Sequence, residues 1–569
     1  MEATTVRGCK ALLMSLMAEG VDTIFGYPGG TIMPLYDELY NYTDKINHIL
    51  VRHEQGAVHA AEGYARSTGK VGVCMATAGP GATNFVTGIA DAMMDSTPIV
   101  CITAQVNADK LGTNFFQEAD TISITLPITK WSYQITKASE IPEVTAKAFY
   151  IAQSGKPGPV VISIAKNAQT ETIDFNYNRE ALLKDIVKQM PQVPENEIDK
   201  AAKLINSSEK PLIIAGNGVS ISGAENLLKE LAEKGNIPVA TTLMGISCIE
   251  SSHPLYIGTV GMHGNIAPNA MTQQADVIIA VGMRFSDRVT GETKGYAPNA
   301  KIIHIEIDNA EINKNIKTDL PLNGDAAAIL SCLNKKIEYA ERKEWFDFAE
   351  NKHNEELGRI INPKLKSTAE EILMGQVVAK IAEIGKGESI IVTDVGQNQM
   401  FSARYSKFCN KRSWITSGGL GTMGFGLPAA IGAKTGNPQK SVVAILGDGG
   451  FQMNIQELGT ILQSNIGVKI VLLNNSFLGM VRQWQELFFN KRYAFTHLVN
   501  PDFQKIMEAY NIPSHRITSS AEIDGAVRKM FETEGAYFLE VAVKEDENVF
   551  PMIPAGATLN DIIYEKPLK

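Results

Sequence analysis

Residues 441–477, SVVAILGDGGFQMNIQELGTILQSNIGVKIVLLNNSF, decide the fold. An apolar, β-branched run ends at Gly447-Asp448-Gly449, a helical stretch follows, and a second apolar run ends at Asn474-Asn475. Strand, helix and strand in that order form a right-handed βαβ unit, so both strand ends open on the same edge of a parallel sheet. Asp448 and Asn475 then stand side by side. Both offer hard oxygen ligands of the kind Mg²⁺ prefers. Gly447, Gly449 and Gly450 let the backbone approach a diphosphate closely, and the helix N-terminus favours its charge. Alone, either dipeptide is an ordinary turn. Together, after consecutive buried strands, they point to a cation-held diphosphate.

The same alternation extends outward over the whole chain. Short apolar runs (DTIFGYPG, KINHILV, KVGVCMAT, PIVCITA and GPVVISI; then PLIIAG, DVIIAVG and KIIHIEID; then SIIVTDVG, SVVAILGDG, VKIVLLNN and YFLEVAV) are separated by helical stretches. Continuous apolar strands between helices predict parallel sheets covered on both faces, an α/β fold. A polar, irregular stretch near residues 170–195 and a charge-rich, surface-lying helical stretch at 335–370 read as linkers. They divide the chain into units at 1–175, 190–340 and 370–545, with a tail at 546–569. The outer units share a faint echo. Ala60-Ala61-Glu62-Gly63, a strand and Ala78-Gly79-Pro80-Gly81 in the first answer to Ala429-Ala430-Ile431-Gly432, a strand and Gly447-Asp448-Gly449 in the third. On that echo alone, common architecture and chance weigh about equally.

Bulk properties narrow the function classes. The 569 residues are 44% hydrophobic and 20% charged, a globular balance with room for several cores. A net charge of −9 argues against a nucleic-acid binder, which needs a basic stripe. Six cysteines lie scattered with no C-x-x-C pair, so neither a zinc site nor a disulfide framework is expected. A reducing cytoplasm fits that usage. The segment MEATTVRGCKALLMSLMAEG has acids and no long apolar core, so no signal or transit segment is expected, and no apolar run is long enough to suggest a membrane span.

The 441–477 segment resembles the diphosphate-binding motif of thiamine-diphosphate enzymes. The resemblance narrows to the catalytic subunits of the acetohydroxyacid (acetolactate) synthase family over nearly the whole chain. It is carried by FGYPGGTIMPLYDEL, VRHEQGAVHAAEGYAR, ATAGPGATN, GTNFFQEAD, GMHG, GMRFSDRVTG, HIEIDNAEINKN, SGGLGTMGFGLPAAIG, LLNNSFLGMVRQWQELFF and VFPMIPAG, in the family's order. It implies a pyrimidine-binding first unit, an FAD-binding middle unit and a diphosphate-binding third unit. It also implies transfer of a hydroxyethyl unit from pyruvate to a second pyruvate or to 2-ketobutyrate, the first common step of branched-chain amino-acid synthesis.

The family's residue roles carry over position by position. Mg²⁺ would be held by Asp448, Asn475 and the carbonyl of Phe477. Glu54 would hydrogen-bond the aminopyrimidine and favour its imino form, with the cofactor itself acting as base. Because that glutamate serves a cofactor whose diphosphate the other subunit holds, at least a dimer is implied, a homodimer or homotetramer, usually with a small regulatory subunit. Pro28, Asn84, Val395, Gly396, Gln397, Asn398, Gly421, Met423, Gly447, Gly449, Gly450, Leu478, Gly479 and Met480 would complete the thiamine-diphosphate site. Met423 would wedge that cofactor into a bent shape. FAD would lie against Lys156, Gly216, Gly218, Thr242, Leu243, Met244, Gly261, Met262, His263, Gly264, Gly282, Arg284, Val289, Glu306, Ile307, Asp308, Gly324 and Asp325. Gly30, Gln117 and Lys166 would act at the catalytic centre. Phe116, Met262, Arg288 and Trp484 would receive the keto acids, with Trp484 favouring 2-ketobutyrate.

Four positions depart from the family pattern. Asn398 stands where histidine is usual, Lys156 replaces an arginine, Ser286 an aspartate and Ala165 a proline. Lys156 puts its contact most in doubt, because lysine cannot reproduce arginine's fork. Two other readings stay open on the residues: a flavin oxidoreductase using the same cofactors, and a non-enzymatic cofactor-binding protein.

Overall fold

The computed structural model describes residues 4–187, 191–366 and 370–565. Both expected linkers and the tail extend over residues outside this set. Three six-stranded parallel sheets carry the chain, with one small antiparallel pair. Across the first sheet run Asn47–Leu50, Thr23–Gly26, Gly72–Ala76, Ile99–Gln105, Val160–Ala165 and Trp131–Ile135. Across the third run Trp414–Ile415, Ile390–Thr393, Val442–Gly447, Lys469–Asn474, Tyr537–Ala542 and Ser514–Ile517. Each outer sheet is therefore ordered second, first, third, fourth, sixth, fifth along the chain. The middle sheet differs: Tyr256–Thr259, Val239–Thr241, Pro211–Ala215, Val277–Val281, Lys301–Glu306 and Leu320–Asn323 are ordered third, second, first, fourth, fifth, sixth. That is the dinucleotide-binding winding.

The echo between the outer units is therefore a shared topology, and the echoing residues touch. Helix Glu54–Thr68 packs against helix Gly426–Gly436. A Cβ on Gly63 would stand 2.0 Å from the carbonyl oxygen of Ala429, and a Cβ on Gly432 would stand 1.8 Å from that of Ala60. The contact is reciprocal about a pseudo-two-fold axis. Small residues at both crossings let the backbones meet, and one continuous core runs from Phe25 and Ala61 in the first unit to Phe425 and Leu472 in the third.

Several elements differ from expectation for physical reasons. Trp131–Ile135, Tyr256–Thr259, Leu320–Asn323, Trp414–Ile415 and Ser514–Ile517 were not evident as strands. Each lies at a sheet edge and pairs on one side only; four of them mix polar with apolar residues, and Trp414–Ile415 is only two residues long. Val239–Thr241 is simply short. The irregular stretch from residue 170 is not all linker: it holds a strand, Thr172–Phe175, which pairs antiparallel with Thr4–Arg7. The charge-rich second linker contains helix Lys343–Glu356, and it does not lie wholly on the surface: Trp345, Ala349 and Glu356 are buried, and the Trp345 indole donates to Pro211 O. The tail returns to the middle unit. Ile553 N donates to Met262 O, Glu292 N to Ala557 O, and Ile553 and Leu559 join that unit's core.

Replacing Gly63 by alanine should lower stability by about 3 kcal/mol, the upper end of ordinary overpacking. Gly525→Ala, at an exposed helical position with nothing within 4 Å, is the uncrowded control and should raise stability by about 0.5–1 kcal/mol. Thermal unfolding of the two variants checks this, and equal midpoints would count against the close helix crossing.

Candidate active site

Parallel sheets bind ligands where strand order reverses, at the carboxyl ends of the strands. In the third sheet that crevice lies between strands Ile390–Thr393 and Val442–Gly447. Asp394 to Asn398 leave one strand end there, and Gly447 to Gly450 leave the other. The next strand ends beside them, with Gly447 paired to Leu473. Asn500, which no sequence pattern marked, ties the two ends together. Its amide nitrogen donates to Asp448 Oδ2 at 2.7 Å and to Asn474 Oδ1 at 2.9 Å. Asn475 donates to Gln397 Oε1 at 3.1 Å, and its own carbonyl accepts from Phe477 N at 3.2 Å. Between them Ser476 has φ 56°, a left-handed conformation that turns the chain sharply.

Asp448 is 1% exposed, and burial pushes its carboxyl up to about 6. Among the described residues no cationic side chain pairs with it. A buried carboxylate with neutral amide neighbours has the donor chemistry that a hard divalent ion takes. Met423, Gly449 and Leu478 converge beside it: a Cβ on Gly449 would stand 2.7 Å from Leu478 Cδ2 and 3.5 Å from Met423 Cε. Gly479 likewise abuts Gln397 and Asn475. Asn398 is held differently from a phosphate donor. Its amide nitrogen donates to Asp394 O and Ile445 O, which leaves only its carbonyl oxygen toward Gly447.

All three units line one large cavity, of about 830 Å³, in the range of small-molecule and cofactor sites. Of the residues read as flavin contacts, Lys156, Gly216, Gly218, Thr242, Leu243, Met244, Met262, His263, Gly264, Gly282, Arg284, Val289, Glu306, Ile307, Gly324 and Asp325 line it, whereas Gly261 and Asp308 do not. Val395, Gly396, Gly421, Met480, Arg288 and Trp484 line the same cavity. Its glycine end sits at the middle sheet's crevice, where Gly216 N donates to Val281 O, Gly218 N to Gly282 O, and Gly282 takes φ 58°. Lys156 is held by Glu311 at 3.0 Å and Asp308 at 3.4 Å, so carboxylates already engage its ammonium. The Arg288–Asp287 pair, at 3.8 Å between exposed groups, is weak and leaves the guanidinium available. Trp484 packs edge-on against Phe488.

Buried side chains from a distance brace the cavity wall. Glu356, at the end of the linker helix, accepts from Asn265 Nδ2 at 2.9 Å and Ile266 N at 2.8 Å, and pairs with Arg404. Arg404 also donates to His263 O and Gly264 O. Burial, helped by Arg404 and Arg288, pushes His263 down to about 3, so its ring is neutral.

The first unit's other candidate residues lie elsewhere. Pro28, Gly30, Glu54, Asn84, Phe116, Gln117 and Lys166 do not line the shared cavity. They gather on the carboxyl edge of the first sheet, around its own order reversal. Glu54 opens helix Glu54–Thr68, and Asn84 Nδ2 donates to its Oε2 at 2.9 Å. Buried Glu457, from the third unit, anchors the preceding turn by accepting from Arg52 N and His53 N. Phe116 is 80% exposed and Phe115 54%, and Gln117 has φ 63°. Within one chain the two sets of candidate residues thus stay apart.

Two outer units of like topology around a dinucleotide-type sheet, with an acid–amide pair at paired strand ends, define a thiamine-diphosphate enzyme. Family models agree: residues 6–124 match the N-terminal TPP binding domain of thiamine pyrophosphate enzymes, 198–333 the central domain and 394–541 the C-terminal TPP binding domain. The chain is 45% identical to a probable acetolactate synthase large subunit of Methanococcus aeolicus, covering 98% of this chain and 95% of that one. It is 41% identical to the acetolactate synthase isozyme 2 large subunit of Escherichia coli, covering 98% and 99%. It is 42% identical to the chloroplastic acetolactate synthase 2 of Nicotiana tabacum, covering 98% and 85%. The chain belongs to the acetolactate synthase large-subunit family.

Arg404→Met should cost about 3–5 kcal/mol, because it strands Glu356 as a buried charge. Adding Glu356→Gln should recover part of that loss. A double-mutant cycle by thermal unfolding measures the coupling, and purely additive losses would remove the ion pair from this role.

Proposed function

We propose that this chain catalyses acetolactate synthesis at sites each built from two copies of itself, using thiamine diphosphate, Mg²⁺ and FAD. The observation that carries the proposal is that Val395 and Gly396, which leave the strand paired beside the one ending at Asp448, line the cavity that also holds Gly421, Met480, Arg288 and Trp484. Asp448, Asn475 and the Phe477 carbonyl would hold Mg²⁺, and Gly447, Gly449 and Gly450 would admit the diphosphate. The bound thiamine cofactor supplies the electron sink for decarboxylating a 2-keto acid. FAD would occupy the middle unit's glycine-lined crevice, where it serves structure rather than redox.

Glu54 reaches this site from the second copy. Asn84 holds one of its oxygens and leaves the other to hydrogen-bond the aminopyrimidine. The exposed Phe115 and Phe116 beside it are surface that a second chain would cover. Gly30, Gln117 and Lys166 would arrive on the same edge. A homodimer or homotetramer follows, and the name "large subunit" borne by the relatives supports a small regulatory partner. Arg288 offers a guanidinium to the acceptor keto acid's carboxylate. Trp484 presents an aromatic wall against which the extra methylene of 2-ketobutyrate is worth ~1–3 kcal/mol, or ~10–200-fold. No helix among the described residues is long and apolar enough to cross a membrane, and we place the enzyme in the cytoplasm.

Purified protein given pyruvate anaerobically, with no electron acceptor, should release CO₂ and form acetolactate. Acetate formation that requires an acceptor would instead identify a flavin oxidase. Glu54→Gln should keep the fold and lose ~10²–10⁴ in rate; near-wild-type turnover would remove it from the site. Trp484→Leu should erode the preference for 2-ketobutyrate in a competition assay, and an unchanged product ratio would refute its role.

A further inference from the structure

One buried ionisable cluster takes no part in the chemistry above. His59 and Glu62 on helix Glu54–Thr68, and Asp91 on helix Val86–Asp95, are all fully buried. One ligand atom from each lies within 4.8 Å of the others. His59 Nδ1 is 2.9 Å from Glu62 Oε1, and Gln55 Nε2 is 3.3 Å from His59 Nε2. Burial pushes His59 down to about 4, so its ring is neutral at working pH. The ring therefore donates from Nδ1 to Glu62 and accepts from Gln55 at Nε2. It contributes no positive charge.

That leaves two carboxyl groups against each other. Glu62 Oε2 and Asp91 Oδ2 are fully buried and have no hydrogen-bond donor. Two ionised carboxylates cannot face one another in a dry site without a cation. A single proton resolves both orphans, because a protonated oxygen donates and the other accepts. The surroundings decide who carries it. Asp91 Oδ1 already accepts from the hydroxyls of Ser417 and Thr422, and hydrogen bonds to the charged form favour ionisation. Glu62 accepts only from His59.

We propose that Glu62 is a permanently protonated acid donating to the Asp91 carboxylate, and that this pair positions the Ser417–Met423 segment for the cofactor's pyrimidine ring. The proposal rests on the placement of Gly421 and Met423 argued above. Asp91 holds Ser417 and Thr422, and Ser417 Oγ in turn accepts from Thr422 N at 2.8 Å. One helical turn on, Asp95 accepts from Gly418 N and Gly419 N at 2.9 and 2.7 Å. Every anchor of this segment on the first unit thus faces the same two carboxylates. The other ionisable groups around Glu62 and Asp91 are Arg66, on Glu62's own helix, Asp95 beside Asp91, Cys74 on the neighbouring strand, and Asp394 from the third unit. Burial, then the charges of Asp91 and Asp95, holds the Glu62 carboxyl well above the usual range, against the opposing pull of Arg66. Glu62 and Asp91 are fully buried, line no part of the shared cavity and act through Ser417 and Thr422, so they are positioning residues.

The asymmetry of the pair supplies the test. Glu62→Gln keeps a donor toward Asp91. Asp91→Asn turns an acceptor of three bonds into a group that must donate. Thiamine-diphosphate affinity in the presence of Mg²⁺, read by tryptophan fluorescence, should stay within about twofold for Glu62→Gln, whereas Glu62→Ala and Asp91→Asn should weaken it ~10–100-fold, the range for a lost bond to a charged group. Difference infrared spectra of the wild-type protein at about pH 8, far above the ordinary carboxylate range, should show the C=O stretch of a protonated carboxylic acid, absent from Glu62→Gln. Asp91→Asn binding the cofactor like wild type, or Glu62→Gln failing like Glu62→Ala, would overturn the proposal. So would a wild-type spectrum without the acid band, or a tightly bound metal, found by elemental analysis, that Glu62→Gln removes. If Asp91→Asn does not fold, Thr422→Val removes one of its donors from the other side and should weaken cofactor binding while leaving the acid band intact; unchanged binding would count against the brace. The infrared band does not depend on cofactor, so a protein that binds no thiamine diphosphate refutes the site's reading without bearing on the shared proton.

Discussion

Everything in this molecule depends on how closely two helices approach. Gly63 lies on the Ala429 carbonyl and Gly432 on that of Ala60, so helices Glu54–Thr68 and Gly426–Gly436 meet backbone to backbone. No side chain stands between them at the crossings, and the distance between the outer units is set by the main chain itself. The first helix begins at Glu54, and the second follows the loop carrying Gly421 and Met423. A methyl group inserted at the crossing would shift both of those ends together.

The polar groups around that crossing are arranged to keep it rigid. Glu457 reaches from the third unit to the main chain just before Glu54. Asp91 and Asp95 reach from the first unit to the loop before Met423. Each outer unit therefore holds the working edge of the other through buried carboxylates that accept from backbone amides or hydroxyls. Such bonds, made to charged acceptors in a dry interior, are stronger than neutral ones and leave little freedom to drift. The middle unit is tied in separately, through Glu356 and Arg404, at the loop that forms the cavity wall.

How much of this was legible in the sequence follows the range of each interaction. The Asp448 and Asn475 strand ends were legible because one βαβ unit contains both, and strand periodicity is a local signal. The central strands were legible for the same reason, while one-sided edge strands such as Trp414–Ile415 and Ser514–Ile517 left no clear pattern. Glu54 stood out through its resemblance to a family segment rather than through spacing. Asn500, Glu457, Arg404 and Asp91 went unremarked because each acts on a residue far away along the chain. The Ala-Ala-x-Gly echo was the one long-range feature with a visible trace: symmetric packing demands small residues at both places. The resemblance assigned Glu54 to a cofactor held by another subunit, and a single chain keeps Glu54, Gln117 and Lys166 apart from the cavity that holds Arg288 and Trp484.

The return of the C-terminal segment onto the middle unit has a bearing on how the protein is made. Ile553 and Leu559 fill that unit's core, and Ile553 pairs with Met262 at the cavity wall. Domains fold as they leave the ribosome, the N-terminal ones first. The middle unit therefore emerges with a gap in its core that stays open through synthesis of the entire third unit. Its cavity wall closes only when residues 553–559 have followed the third unit out, so the binding site is assembled after the third unit is made.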